Sequence, residues 1–360
     1  MFDIENGVLK GLKCKKGLKE VIIPDGVTEI GQKAFWGIRN MPSVKIPDSV
    51  KFIGPMAFER CLGLTSIEIP SSVTEIKQKA FSGCENIESV KLSESLLYID
   101  SYTFDSCHGI TSITIPESVK EIFGLAFYYC YNLRTVNIPA SVEKMGRIDS
   151  IGVDSYIMPS FCSCNNLKRI NVSEANQQYC DIDGVLFNKD KTVLVQYPPG
   201  RADKSYRVPD GVKRIESNAF EYSKNLKTII LPNSLEYIGN NAFEDCSGLV
   251  SIEIPDLVTD IKQGVFSGCE SLKYVKLPDS LRSIGEEAFS ECRSLTEIDI
   301  PDTVSFIGGA AFTQCDELIS LNIPDLVVTK FLAGDFGEFS DLVDVEAFED
   351  IDEIYEYISL

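Results

Sequence analysis

Two hydrophobic beats alternate along the chain. In Leu64-Thr65-Ser66-Ile67-Glu68-Ile69-Pro70 apolar and polar residues alternate as on a half-buried strand, and the proline ends the run because it has no N–H for a ladder. Through Val73, Ile76, Ala80, Phe81 and Cys84 the apolar positions fall three and four residues apart, a beat that predicts a short helical or 3-10 turn. The pair of beats recurs every 23 residues. Prolines mark it at Pro24, Pro47, Pro70, Pro116 and Pro139, with Ser93 in the one gap, and again at Pro209, Pro232, Pro255, Pro278, Pro301 and Pro324. Phenylalanines keep the same register at Phe35, Phe58, Phe81, Phe104 and Phe127, resume at Phe161, and continue through Phe220, Phe243, Phe266, Phe289 and Phe312.

One strand and one turn cannot bury both of their faces, so such a unit is stable only when its neighbours stack on it and share a core. The expected architecture is an α/β repeat solenoid, with a parallel sheet on one face and short helical or 3-10 turns on the other. Breaks in the beat divide it. Residues 1–172 form a first block, with an N-terminal cap and an insertion at 146–160, where Phe127 and Phe161 stand 34 residues apart instead of 23. Residues 173–208 hold two alternating runs around the polar Asn188-Lys189-Asp190-Lys191 and read as a β-hairpin. Residues 209–330 form a second block. Residues 331–360 carry ten Asp or Glu and no Lys or Arg, and Val345, Phe348, Ile351, Tyr355 and Ile358 share one helical face there. That pattern predicts an amphipathic helix capping the last coil, with an acidic docking tail as the alternative.

The unit Ile46-Pro47-Asp48-Ser49-Val50-Lys51-Phe52-Ile53-Gly54-Pro55-Met56-Ala57-Phe58-Glu59-Arg60-Cys61 resembles the BspA-like leucine-rich repeats of bacterial surface proteins, and the resemblance covers about residues 2–330. The hairpin segment Ile182–Pro198 is similar to the one often set between repeat blocks in that family. The resemblance implies a right-handed leucine-rich-repeat coil. It also implies a secreted or surface-attached protein that adheres to proteins, cells or glycans, host-derived partners included. The family's usual export signal and wall or membrane anchor are not visible here, so a cytoplasmic location stays open beside the surface one.

Composition narrows the chemistry. With 44% hydrophobic and 24% charged residues the chain can build a core, and its formal charge of −20 argues against nucleic acid as a partner, since phosphate binding needs clustered Lys and Arg. No run approaches the length of a membrane span, so no membrane insertion is expected. Of the 12 cysteines, nine (Cys61, Cys84, Cys107, Cys130, Cys164, Cys246, Cys269, Cys292 and Cys315) stand three residues after a repeat phenylalanine, where a small buried apolar residue is expected. There is no C-x-x-C pair and one histidine, His108, so neither a zinc site nor a Cys–His or Ser–His dyad has its ligands or base, and no metal or cofactor is expected. Asp181-Ile182-Asp183-Gly184 superficially resembles a calcium loop, but the run continues as strand instead of the twelve-residue ligand pattern. Cys162 occupies a position held elsewhere by Glu59, Ser82, Asp105 and Glu244 and is expected to face solvent.

What remains is surface. The residue between the two buried positions of each strand reads Lys45, Glu68, Lys91, Thr114, Asn137, Asn171, Arg207, Ile230, Glu253, Lys276, Asp299 and Asn322. Alternating charges at both ends serve stacking, whereas Asn137, Asn171 and Arg207, with Arg169 one row over, are better suited to hydrogen-bonding a ligand. Tyr128, Tyr129 and Tyr131 replace small or charged residues of other units and are expected to be exposed, beside His108 and near Tyr156 of the insertion. These nine residues are the candidate contact site of a non-enzymatic binding or adhesion module for a protein or glycan. An intracellular scaffold or spacer that docks a partner through its acidic tail is the alternative.

Overall fold

The computed structural model describes residues 2–13, 20–146 and 158–322. The chain divides into two compact units, Met1–Lys189 and Asp190–Leu360. Both are parallel-strand β-solenoids whose coils have three sides. The first side is the strand that ends at proline, such as Ser66–Glu68, which turns Ile67 inward and its flanking residues outward. It pairs in register with the equivalent strand one coil away: Ser43↔Ser66↔Ser89 in the first unit, and Ser205↔Thr228↔Ser251↔Tyr274 in the second. Lys91 and Glu68, on adjacent strands, form an ion pair at 2.6 Å. The second side is a two-residue strand, Glu75–Ile76 in the same coil, paired in parallel with Phe52–Ile53.

The third side carries the repeat phenylalanine, and here the expectation of helical turns is corrected: no helix occurs among the described residues. The reason lies in the backbone donors. Within the coil, the N–H groups of Ala34, Trp36 and Ile38 donate to the carbonyls of Gly31, Lys33 and Phe35, three residues back. The alternate N–H groups, of Lys33, Phe35 and Gly37, leave the coil and donate to Pro55, Ala57 and Glu59 of the next one. A helix would keep all of these donors to itself. The two outer residues of this set adopt a left-handed backbone: Lys33 and Gly37 have φ of 58° and 70°, and their counterparts Met56 and Arg60 (57° and 58°) and Asn241 and Asp245 (56° and 55°) do the same. Tight turns of this kind space their buried side chains three and four apart, as a helix does.

Behind this side the core is a column of rings. Phe35, Phe58, Phe81, Phe104, Phe127 and Phe161 stack at centroid spacings of 4.8 to 5.5 Å in the first unit. Tyr197, Phe220, Phe243, Phe266, Phe289 and Phe312 stack at 5.1 to 5.4 Å in the second. Such pairs contribute about 0.5–1.5 kcal/mol each beyond the area they bury. Beside the rings the nine repeat cysteines are free thiols, and each donates to the carbonyl of the phenylalanine one coil earlier, from Cys61 to Phe35 O at 3.1 Å through Cys315 to Phe289 O at 3.2 Å. Burial pushes the Cys107, Cys164, Cys246, Cys269, Cys292 and Cys315 thiols up, Cys315 to about 12, and Cys84 is raised first by its side-chain contact with Cys61 and then by burial. They therefore stay protonated, as donors must. Cys162 is buried too, at 2% exposure, which corrects the expectation that it faces solvent: the tyrosines of the preceding coils lie against this position, Tyr102 close enough to feel its charge.

Two hairpins flank the coils of the first unit. Phe2–Glu5 pairs antiparallel with Val8–Leu12 around Asn6-Gly7, and Tyr179–Ile182 with Val185–Asn188 around Asp183-Gly184. Both turn residues have positive φ in each case, which suits the twist of a two-residue hairpin. Val8–Leu12 also pairs in parallel with Glu29–Ile30, so the first hairpin covers the first coil. At the insertion, Met158 N–H donates to Gly146 O at 2.8 Å, and Phe127 N–H reaches Ser160 O at 2.9 Å, so the coil resumes in register. Residues 147–157 and the acidic segment 331–360 lie outside the described residues.

Two substitutions test this construction. An added Cβ on Gly37 meets nothing within 4 Å, so Gly37→Ala isolates the left-handed backbone demand and is expected to lower stability by about 1–2 kcal/mol in urea denaturation. Ser223 occupies a cysteine position, is buried, and its Oγ has no partner among the described residues. Ser223→Cys places a longer S–H toward the carbonyl of Tyr197 and is expected to raise stability by about 1 kcal/mol in the same measurement. An unchanged midpoint for either variant contradicts the corresponding ladder.

Candidate functional site

The third side of the coil projects its non-core residues outward, and in the first unit the outward residues of two neighbouring coils are aromatic. Tyr128 and Tyr129 pack ring against ring at 3.9 Å, Tyr129 lies 5.5 Å from Tyr131, and Tyr131 stacks on His108 at 4.8 Å with the planes 19° apart. The histidine Nδ1 bonds Tyr129 O at 2.9 Å; because the partner is a carbonyl, the nitrogen is the donor, and Nε2 is left as the ring's other polar atom. Asn132 Nδ2 donates to His108 O at 2.8 Å and Asn166 Nδ2 to Tyr131 O at 2.8 Å, so amides from successive coils pin the loop that carries the rings. The mutual packing corrects one expectation. Tyr131 is exposed at 38%, but Tyr128 and Tyr129 are half-buried against their neighbours.

Sequence reasoning missed three members of this cluster. Tyr102 packs edge-on against Tyr128 at 6.3 Å, Lys79 Nζ lies 5.2 Å from the Tyr102 ring, and Asp105 accepts hydrogen bonds from Ser82 and Ser106 at 2.9 and 2.8 Å. Burial raises the Tyr102 and Tyr131 phenols, with the Asp105 carboxylate adding to it, so both keep their protons. A signal existed: Tyr102 stands where other coils carry Lys33, Met56 and Leu125, one unit before the tyrosine run.

The polar candidates hang from a different segment of the coil. Asn137 and Asn171 are opposite each other on parallel strands, and Asn171 Nδ2 donates to Asn137 Oδ1 at 2.8 Å. Arg169 Nε reaches Asn171 Oδ1 at 3.4 Å and its guanidinium lies 3.5 Å from Asp183. Much of this ladder's bonding is thus already used internally. Asp181 is likewise committed, accepting the N–H groups of Val172 and Gly184 at 2.8 and 3.0 Å. Arg207 belongs to the second unit, and Tyr156 lies outside the described residues. Among the described residues no group of three or more His, Cys, Asp and Glu is placed to hold a metal ion, and no helix is long and apolar enough to cross a membrane.

Known proteins match this architecture. The family described as "BspA type Leucine rich repeat region" matches in six copies, over residues 11–134, 203–318 and 259–358. A leucine rich cell surface protein from Faecalibacterium prausnitzii is similar in structure, with a TM-score of 0.74 and 35% identity over 84% of this chain and 78% of its own. A leucine-rich repeat protein from Bacteroides ovatus is 30% identical, with a TM-score of 0.55 over 91% of this chain and 87% of its own. The pneumococcal vaccine antigen PcpA shares the fold at a TM-score of 0.52 and 22% identity, over 90% of this chain and 78% of its own. No curated protein matches.

On the second unit the third side gathers carboxylates, with Tyr222 among them. Burial, then the charges of Glu221, Asp245 and Glu287, push the Glu244 carboxyl up to about 7. The folded chain therefore holds this proton more tightly than the unfolded one. That contribution is fully present below the ordinary carboxylate range, and it is lost as pH rises through about 7. Glu244→Gln removes the titration and is expected to melt higher than the parent at pH 8, with the gap narrowing toward pH 5. A gap independent of pH contradicts the shift.

Proposed function

Because the chain belongs to the BspA-type leucine-rich repeat family, we propose that it is a non-enzymatic binding module of a bacterial cell surface, and that the Tyr128, Tyr129, Tyr131 and His108 cluster of the first unit is its contact for a protein partner. The observation that carries this reading is a group of tilted and stacked aromatic rings, held rigid by one another and by hydrogen bonds from asparagine amides of successive coils, at outward positions where other coils have small or charged residues. Aromatic residues that bury large area at little entropic cost are the usual anchors of protein interfaces. Rings set at 39° and 55° to one another offer clefts for side chains and no broad flat plate. The surface location follows the description of the Faecalibacterium relative as a cell surface protein. Catalysis finds no support in the one histidine, whose Nδ1 is bonded to a backbone carbonyl.

Tyr129 offers a test that separates binding from folding. It has φ of 54° at a position where other coils carry Gly37, Gly83 and Gly268. Tyr129→Gly thus removes the ring while relieving a left-handed backbone worth about 1–2 kcal/mol, which offsets the lost ring contacts. With Tyr131→Ala added, the melting temperature is expected to stay within a few degrees of the parent. Affinity for a protein partner captured from extracellular matrix or cell-surface fractions is expected to fall at least about tenfold. Full retention of binding overturns the site, and binding at this cluster that is lost when the partner is deglycosylated overturns the partner class.

A further inference from the structure

The first side of the second unit holds a feature that the aromatic cluster does not explain. The parallel strands Ser205–Arg207, Thr228–Ile230, Ser251–Glu253 and Tyr274–Lys276 form the floor of a groove of about 710 Å³, within the roughly 300–1,000 Å³ usual for ligand sites. Their inner backbone groups are used in the ladder, so a ligand lying on this face must be read by side chains. Most outward side chains of a solenoid sheet are spent on one another, as Lys276 and Glu253 are here. Six in this groove are not. Among the described residues, Arg207, Thr228, Ser251, Asp256, Tyr274 and Asp279 line the groove and form no side-chain hydrogen bond or ion pair, Asp256 and Tyr274 meeting the charge of Lys276 only through space.

We propose that this groove binds a neutral oligosaccharide. Tyr274 is exposed at 49% and stands in a row where the neighbouring coils have Ser205, Thr228 and Ser251, so its ring rises beside hydroxyls instead of packing among other rings. A sugar ring presents an apolar C–H face that stacks on such a ring, and hydroxyls at its edge that donate to carboxylates. Asp256 and Asp279 supply those acceptors from consecutive coils, and the coil spacing repeats them about every 4.8 Å. That periodicity suits a chain of linked sugars better than a single one. The charges of the lining nearly balance, Arg207 and Lys276 against Glu253, Asp256 and Asp279, so the groove has no strong attraction for a polyanion or a polycation. The corresponding groove of the first unit, about 970 Å³, is lined by Ser43, Lys45, Ser66 and Glu68 and by no aromatic ring, so it lacks the stacking element.

The test uses the full chain with cellotetraose, xylotetraose, mannotetraose and chitotetraose, each beside its monosaccharide, followed by saturation-transfer NMR and calorimetry. At least one tetrasaccharide is expected to bind with a Kd below about 1 mM, its monosaccharide at least about tenfold more weakly, and Tyr274→Ala and Asp256→Ala/Asp279→Ala to weaken the tetrasaccharide at least about tenfold each. These side chains are exposed, and an unchanged melting temperature verifies that the variants fold. Tyr131→Ala is expected to leave sugar binding intact, which separates this groove from the protein contact of the first unit. Absence of binding by all four tetrasaccharides, sugar binding that survives Tyr274→Ala, or preferential binding of heparin or of a peptide in the groove overturns the proposal.

Discussion

On the phenylalanine-bearing side of each coil, alternate backbone N–H groups are donated to the next coil, and this exchange determines what the rest of the repeat can hold. It forces two left-handed residues per turn, brings successive phenylalanine rings to about 5 Å, and points each phenylalanine carbonyl at the cysteine of the following coil. The carbonyl has a second lone pair beyond the one used within the turn, and the thiol satisfies it. A cysteine at this position therefore serves two needs at once, filling a small apolar space and donating one hydrogen bond. The buried Ser223 shows that a hydroxyl on a shorter bond does not reach.

Much of this was legible from periodicity. The 23-residue beat, the buried pair of the strands around an outward residue, and the inward phenylalanine and cysteine columns follow from which positions stay apolar in nearly all copies, as Ile67, Ile69, Phe81 and Cys84 illustrate. Periodicity could not distinguish a helix from a chain of tight turns, because both set Ile76, Ala80, Phe81 and Cys84 three and four residues apart; the difference lies in where the N–H of Phe81 goes, to Thr103 of the next coil. Comparison by column also failed for Cys162, because a polar residue type does not fix exposure at this position: its counterparts Ser82 and Glu221 are buried as well.

The candidate surface was only partly readable, for a related reason. Column comparison identifies a residue that departs from its equivalents, and Tyr128, Tyr129 and Tyr131 do so together, but it does not show that their rings will shield one another. Tyr102 and Asp105 join them from the preceding coil, a neighbour relation that exists only after stacking. Tyr274 departs from its column as clearly as the tyrosine run does. It drew no notice because a single aromatic amid serines gains meaning only when the uncommitted carboxylates of Asp256 and Asp279 lie beside it.

Near-identical coils create a threading problem during folding, since a strand that docks one rung too far still meets phenylalanine with phenylalanine and thiol with carbonyl. The second unit carries its own correction. Tyr197 replaces phenylalanine at the first rung, where its hydroxyl donates to Asp203 at 2.9 Å while Arg201 Nε donates to the same carboxylate at 2.6 Å. A chain shifted by one coil would carry that hydroxyl, with Asp203 and Arg201 of its own coil, against a rung lined for a hydrocarbon ring. The single polar atom at the head of the column thus acts as an index mark against which the five phenylalanines behind it are counted into place.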